Sequence, residues 1–114
     1  MNYKEERPWG WFEILIDDQN IKVKRILVRP GKRLSLQSHK HRSENWIIVQ
    51  GTASITLDSD TKQYKTTDSV FIPAGTKHRI GNVGEDDVIF IEVQTGSYFG
   101  EDDIIRYEDD FNRV

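Results

Sequence analysis

The stretch from Gly31 to Gly51, GKRLSLQSHKHRSENWIIVQG, holds two of the three histidines of the chain. Gln37, His39 and His41 are spaced by two residues, and side chains at that spacing project from one face of a β-strand. Glu44 follows three residues later and needs a bend or loop to return to that face. Imidazole nitrogens, a carboxylate and an amide oxygen that converge in this way suit a divalent transition metal.

A second polar cluster surrounds the third histidine, in the segment IPAGTKH at positions 72–78. Pro73 presets φ and Gly75 accepts positive φ, so this turn fixes where His78 re-enters the sheet. A lone histidine at a strand end is more often a polar surface residue than a ligand. Two clusters of the same kind favour one shared site.

The first cluster resembles the first motif of the cupin superfamily, which reads Gly, five residues, His-x-His, three or four residues, Glu, six residues, Gly. Gly31, Glu44 and Gly51 fix the register. That register puts Gln37 at the position of the first histidine and His39 at the second. The alternative pair, His39 with His41, fits the spacing less well, which makes His41 an additional histidine.

The second cluster resembles the second cupin motif through Pro73, Gly75, His78 and Asn82, with Thr67 where the motif begins with glycine. The resemblance implies a jelly-roll fold and one bound divalent metal ion. Gln-x-His with Glu and His is similar to the zinc set of phosphomannose isomerases, so zinc is the first expectation, with cobalt, nickel, manganese or magnesium as alternatives. The ligands that the resemblance implies are Gln37, His39, Glu44 and His78.

Longer segments narrow the resemblance to the C-terminal cupin domain of type II mannose-6-phosphate isomerases, here as a stand-alone domain. In that family the domain usually follows a mannose-1-phosphate guanylyltransferase domain. One departure is Asn45, which stands where the family usually has a histidine, and an amide cannot replace an imidazole in proton transfer. The matching segments are Arg7–Gly10, Leu34–Gln37, His41–Glu44, Gly51–Ala53, Ile91–Gly96 and Gly100–Ile104.

This resemblance implies a metal-dependent aldose–ketose isomerase that interconverts mannose 6-phosphate and fructose 6-phosphate. Such a reaction needs a base that moves a proton between C1 and C2, and the candidates are His41 or a carboxylate between Glu101 and Asp103, with Glu101 first. The alternatives are a non-catalytic cupin that binds a sugar phosphate or a metal, and another metal-dependent cupin enzyme such as a dioxygenase, because a fold does not settle a function.

The segment from Lys22 to Arg42 carries eight lysines and arginines and no acid, although the chain has a formal net charge of −3. A run of positive charge of this kind either forms a face exposed to solvent or attracts an anionic ligand. Guanidinium groups pair bidentately with phosphate. We therefore expect Lys32, Arg33 and Arg42 to bind substrate, and Arg106, in the segment that resembles the family's C-terminal signature, to act at the catalytic centre on the phosphate.

Short alternating segments separated by polar turns predict an all-β domain, a small antiparallel β-barrel or jelly roll. The 114 residues suffice for a single domain, residues 1–114, with an N-terminal arm at 1–8 and an acidic C-terminal tail at 101–114. Within that tail, the spacing of Ile104, Ile105 and Phe111 predicts a short helix or 3₁₀ turn over 102–111.

The chain has no cysteine, which fits a reducing compartment, and its N-terminus lacks the apolar segment of a signal peptide. No apolar run reaches transmembrane length. These features predict a cytoplasmic protein without a membrane partner. The net negative charge argues against a broad nucleic-acid surface, and the sheet edges that a small cupin leaves uncovered predict a homodimer.

Overall fold

The computed structural model describes residues 2–113, which form eleven β-strands and, within that range, no helix. No helix of the described chain is therefore long and apolar enough to span a membrane. The strands are β1 Tyr3–Arg7, β2 Gly10–Asp17, β3 Ile21–Val28, β4 Leu36–Ser38, β5 Arg42–Gln50, β6 Ala53–Leu57, β7 Asp60–Tyr64, β8 Ser69–Ile72, β9 His78–Asn82, β10 Val88–Gly96 and β11 Ile105–Glu108.

The strands build two antiparallel sheets that enclose one core. The larger sheet has the order β1-β2-β3-β10-β5-β8, and the smaller has the order β11-β4-β9-β6-β7. The core combines apolar side chains of both sheets, such as Phe90 and Ile48 from the larger and Ile55 and Ile80 from the smaller. This confirms the predicted all-β antiparallel fold.

The C-terminal segment is a strand where a helical turn was predicted. Residues Ile105–Glu108 form β11, which pairs with β4 and places Arg106 opposite Gln37. Residues 102–111 contain no helix, so the prediction over that range is wrong. The expected arm is likewise a strand, since β1 pairs with β2 along Tyr3–Arg7.

Strand β3 is buried on both faces apart from Arg25, and one of those faces carries lysines into the molecule. Ile26 and Val28 belong to the core, and the period of two places Lys22 and Lys24 on the same face. Both lysines are buried. Arg25 is the one exposed residue of this strand.

Strand β5 is buried on one face only. Trp46 and Ile48 are 3% and 2% exposed, whereas Ile47 and Val49 are 43% and 48% exposed. The apolar run Trp46–Val49 is therefore buried at alternate residues only. Its inner face lines the core and the site, and its outer face lies open to solvent.

Candidate metal centre

Three ligand-type side chains meet between the two sheets. His39 follows β4 and His78 begins β9, both in the smaller sheet, while Glu44 projects from β5 in the larger sheet. Glu44 Oε2 lies 3.5 Å from His39 Nδ1, and Glu44 Oε1 lies 3.8 Å from His78 Nε2. One ligand atom from each residue lies within 4.8 Å of the others, and all three residues are buried.

The Pro-Gly turn and the histidine loop hold each other in place. Gly75 has a φ of 87°, which an L side chain rarely adopts. Its amide donates to the carbonyl oxygen of His39 at 2.7 Å. This bond joins the two motifs that the sequence separates, and it positions His39 next to the start of β9, where His78 lies.

His78 presents a free lone pair to the cluster. Its Nδ1 lies 3.0 Å from the carbonyl oxygen of Thr76, a contact that requires Nδ1 to donate the proton. The opposite nitrogen, Nε2, is then an acceptor, and it is buried without a hydrogen-bond partner in residues 2–113. An unsatisfied buried polar atom costs about 1–3 kcal/mol, and a divalent ion between Nε2 and Glu44 removes this cost. The donor set thus fits a metal ion.

Both histidines are held in the neutral form that binds metals. Burial, followed by the positive charge of Arg42 and the neighbouring His78, lowers the pKa of His39 to about 3. Burial also lowers the pKa of His78. Neutral imidazole is the ligating form, and neither histidine is an imidazolium that repels a cation near neutral pH.

Glu44 is oriented by two donors. Arg42 Nε donates to Oε2 at 2.8 Å, and Trp46 Nε1 donates to Oε1 at 3.0 Å. Arg42 Nη2 also donates to His39 Nε2 at 2.9 Å, so the neutral ring of His39 carries its proton on Nδ1, which faces the carboxylate. A metal ion bound by His39 would therefore replace either that proton or the contact with Arg42. Contacts of this kind around a ligand fix its position and its basicity.

Gln37, the expected fourth ligand, lies on β4 directly opposite His78. Residues opposite each other on paired strands project from the same face, so Gln37 shares the inner face with His78. It lines the cavity that contains His39 and Glu44. The amide is thus placed beside the cluster, and its ligand role stays a prediction.

The larger sheet brings further polar residues into the cavity. Glu92 is 6% exposed, and its Oε1 accepts a hydrogen bond at 3.0 Å from Trp46 Nε1, the donor that also contacts Glu44. Burial and, after it, the negative charge of the neighbouring Glu44 raise the pKa of Glu92 to about 7. Lys24 Nζ donates to Glu101 at 2.8 Å. Sequence reasoning missed Glu92 and Lys24, although strict alternation along β3 and β10 points both of them inward.

Three of the expected catalytic or substrate-binding residues line this cavity, namely Arg42, Glu101 and Arg106. Arg42 was expected to bind substrate. In the structure it is buried directly against Glu44, closer to the cluster than that role required. The coulombic attraction of Lys24 and the hydrogen bond from it outweigh the effect of burial and lower the pKa of Glu101, which keeps this carboxylate ionised. Arg106 lies one strand beyond Gln37 in the smaller sheet.

The other three expected residues lie elsewhere, which corrects their predicted placement. Strand β4 ends at Ser38, so the alternation does not extend to His41. His41 is exposed, its ring edge-on to Tyr98 with centroids 6.3 Å apart, in a surface depression outside the cluster. Lys32 and Arg33 are exposed in a groove away from the cavity, and Arg33 pairs with Asp110 at 2.7 Å.

Asn45 points away from the cavity. On β5, Glu44 and Trp46 are buried on the inner face and Asn45 between them is exposed on the outer face. It pairs in register with Phe71, whose side chain is 52% exposed. The residue at position 45 therefore has no access to the reacting side of the cluster, and an asparagine there leaves the inner face intact.

The family model for the C-terminal region of mannose-6-phosphate isomerase matches residues 1–109. The chain belongs to this family. The xanthan biosynthesis protein XanB of Xanthomonas campestris is 47% identical over 97% of the chain, and the alginate biosynthesis protein AlgA of Pseudomonas aeruginosa is 48% identical over 95%. The chain covers 24% and 22% of these two relatives, or roughly a quarter of their length.

Solved structures agree on the fold of this family member. A protein with a double-stranded β-helix domain from Klebsiella pneumoniae superposes with a TM-score of 0.75 at 19% identity, covering 85% of this chain and 83% of the other. Oxalate decarboxylase from Bacillus subtilis superposes with a TM-score of 0.82 at 18% identity, over 92% of this chain and 30% of that one. At such identities the likeness concerns the fold alone.

Proposed function

We propose that this chain is a metal-dependent aldose–ketose isomerase that interconverts mannose 6-phosphate and fructose 6-phosphate. The observation that carries the proposal is the buried cluster of His39, Glu44 and His78, in which the unpartnered His78 Nε2 faces the carboxylate of Glu44. The family supports the choice of substrate, since the family model that matches the chain is that of the C-terminal region of mannose-6-phosphate isomerase. Zinc is the first candidate for the ion.

His39, Glu44 and His78 would hold the ion, with Gln37 beside them. A divalent ion there supplies Lewis acidity toward adjacent sugar oxygens. Arg42 and Trp46 keep the carboxylate of Glu44 in position through their hydrogen bonds at 2.8 and 3.0 Å. The burial of the cluster excludes water, which strengthens every electrostatic interaction within the cavity.

Glu101 is the base that we assign to the proton transfer. Its carboxylate lines the cavity and is held by Lys24 at 2.8 Å, with Lys22 at 3.7 Å. Against the effect of burial, the lysines lower its pKa, so the group is an ionised carboxylate at neutral pH and has lone pairs available for a proton. In this assignment Glu101 takes the proton from C2 of the aldose and returns it to C1. His41, exposed outside the cavity, has no part in the step.

A coupled isomerase assay tests the proposal. Wild-type protein loaded with zinc, cobalt, manganese or magnesium is assayed with mannose 6-phosphate, beside His39→Ala and the surface control His41→Ala. We expect turnover with at least one metal, its loss in His39→Ala, and its retention in His41→Ala. Saturable binding of mannose 6-phosphate without turnover under any metal would contradict the enzyme and favour a sugar-phosphate-binding module.

A further inference from the structure

The loop that carries His39 takes its position from other segments of the chain. Residues 39–41 form this histidine loop, between the end of β4 and the start of β5. Its carbonyl oxygens accept from two distant amides: that of His39 from Gly75 at 2.7 Å, and that of His41 from Ser97 at 3.1 Å. The place of His39 at the metal centre therefore depends on the segments that surround the loop.

Asp103 binds the amides of the same loop with both oxygens of its carboxylate. Oδ1 accepts from the amide of Lys40 at 3.0 Å, and Oδ2 accepts from the amide of His41 at 2.9 Å. Burial raises the pKa of Asp103, but the hydrogen bonds from His41 and Lys40 outweigh that effect and hold the pKa below its usual range. Hydrogen bonds to a charged acceptor are stronger than those between neutral groups. One side chain thus fixes the two amides that directly follow His39.

The turn that holds Asp103 also carries Glu101. Residues 100–103 form this acidic turn, which is closed by a hydrogen bond from the amide of Asp103 to the carbonyl oxygen of Gly100 at 3.1 Å. Glu101 reaches into the cavity and is bound there by Lys24 Nζ at 2.8 Å. Asp103 lies outside the cavity, in the surface depression that contains His41. The two carboxylates of one short turn therefore face in different directions, one toward the cavity and one toward the histidine loop.

We propose that Asp103 is a positioning residue of the metal centre, whose carboxylate keeps the ligand His39 and the base Glu101 in a fixed relation to each other. The inference rests on the proposed function, which supplies the ion and the proton transfer. Asp103 acts through the backbone of the histidine loop and not on a bound molecule. Without its carboxylate the histidine loop and the acidic turn lose their direct connection, and a displacement of about 1 Å at reacting groups can cost about 100-fold in rate.

Two variants and one matched control separate this role from a merely structural one. Asp103→Ala removes both acceptors, whereas Asp103→Asn leaves one carbonyl oxygen for two amide donors, so its effect should be the smaller. The control is Asp68→Ala. Asp68 accepts from the amide of Lys65 at 2.8 Å in the turn between β7 and β8, so this variant loses the same charge and the same kind of hydrogen bond away from the metal centre.

Calorimetric titration of the metal-free full chain with zinc, together with the absorption spectrum of the cobalt-loaded protein, tests the effect on the metal centre. For Asp103→Ala we expect a zinc affinity at least about tenfold lower than in the wild type, the loss typical of removing an outer contact of a metal site, and a cobalt spectrum of altered shape. Asp68→Ala should match the wild type in both, and urea unfolding compares the stability of the variants. Equal zinc affinities of wild type and Asp103→Ala would overturn the proposal.

Steady-state kinetics at saturating zinc test the connection to Glu101. With the ion fully bound, kcat of Asp103→Ala should be at least about tenfold lower and KM close to that of the wild type, because the displaced groups act in the reaction and not in substrate binding. An unchanged kcat would overturn this connection. Zinc binding that depends on Asp103 without any turnover would sustain its role at the metal centre and overturn the proposed isomerase, whereas a wild type that binds neither zinc nor cobalt would overturn both. If Asp103→Ala fails to fold, Asp103→Asn decides by the same criteria.

Discussion

At the scale of the residue, Glu44 connects the parts of the site. One oxygen faces His39 and accepts from Arg42, and the other faces His78 and accepts from Trp46. A carboxylate in this position supplies a negative charge for a bound cation and fixes the two imidazoles around it. Arg42 partly neutralises that charge, which allows Glu44 to stay buried at 2% exposure.

The buried histidines give the metal-free protein a pH-dependent stability. The pKa of His39 is about 3 in the folded chain, against about 6.5 for an unfolded chain. Below pH 6.5 the unfolded chain therefore takes up a proton that the folded chain does not. We expect the free energy of unfolding to fall, as pH falls, by up to about 1.4 kcal/mol per pH unit from this residue.

Urea unfolding between pH 6.5 and 4.5, with a chelator present, measures this slope. His39→Gln should lower the slope of stability against pH relative to the wild type, and the exposed His41→Gln should leave it as in the wild type. Glu92 opposes the trend, because its raised pKa of about 7 makes stability fall as pH rises from about 4.5. Glu92 makes this contribution to the pH dependence in the wild type and in both histidine variants. Equal slopes in wild type and His39→Gln would refute the account.

Motif spacing predicted the four residues that the structure brings together at the cluster, which are Gln37, His39, Glu44 and His78. Spacing along a strand or after a turn can be read from residues that are near one another in the sequence. The position of His41 was predicted wrongly, since the end of β4 at Ser38 depends on how the following loop packs. The pairing of Lys24 with Glu101 was not predictable from any local pattern. It depends on two segments that meet only in the folded chain.

At the scale of the element, the start of β5 is held by a close approach of β10. Gly96 has a φ of 149°, and a Cβ there would lie 2.3 Å from the carbonyl oxygen of His41 and 2.9 Å from Cα of Arg42. Both of these contacts are backbone atoms of the segment that enters the site. Glycine at this position thus permits β10 to pair with β5 next to Glu44.

Gly96→Ala should destabilise the protein by about 1–3 kcal/mol, because the added methyl group forces the two backbones apart. The control is Gly84→Ala, where a Cβ would lie 3.5 Å from Asn82 Oδ1, an ordinary contact. Urea unfolding at neutral pH compares the two variants. A Gly96→Ala protein as stable as Gly84→Ala would show that the close approach does not constrain the sheet.

Most strands could be predicted from alternation and from the turn residues between them. β11 could not, because Ile104, Ile105 and Phe111 are also spaced as on a helix and its partner, β4, lies far back in the sequence. A short segment with two compatible patterns takes the structure that its neighbours stabilise. In this chain the unpaired edge of β4 decides it.

At the scale of the whole molecule, the larger sheet leaves an apolar surface uncovered. We call this the outer patch; it consists of Ile47, Val49 and Phe71, which are 43%, 48% and 52% exposed. The edge strands of this sheet are β1 and β8, and Trp9, between β1 and β2, is buried in the chain's own core. An exposed apolar patch of this kind is typical of an interface.

We predict a homodimer in which a second copy covers the outer patch. Sedimentation equilibrium at micromolar concentration should give twice the chain mass of 13.3 kDa. Phe71→Asp should shift the equilibrium toward the monomer, because it places a charge within the apolar interface. Val83→Asp is the control, since Val83 is 66% exposed on the loop after β9. A 13.3 kDa wild-type species would contradict the dimer.

The measurement that tests the central claim most directly is a calorimetric titration of the metal-free chain with zinc and cobalt. The account predicts one ion per chain in the wild type and unchanged affinity in His41→Ala. In His78→Ala the affinity should be at least about 100-fold lower, which is the upper end of the loss caused by removing a residue that only contacts a metal ligand. Equal binding by wild type and His78→Ala, or a loss of binding in His41→Ala, would contradict it.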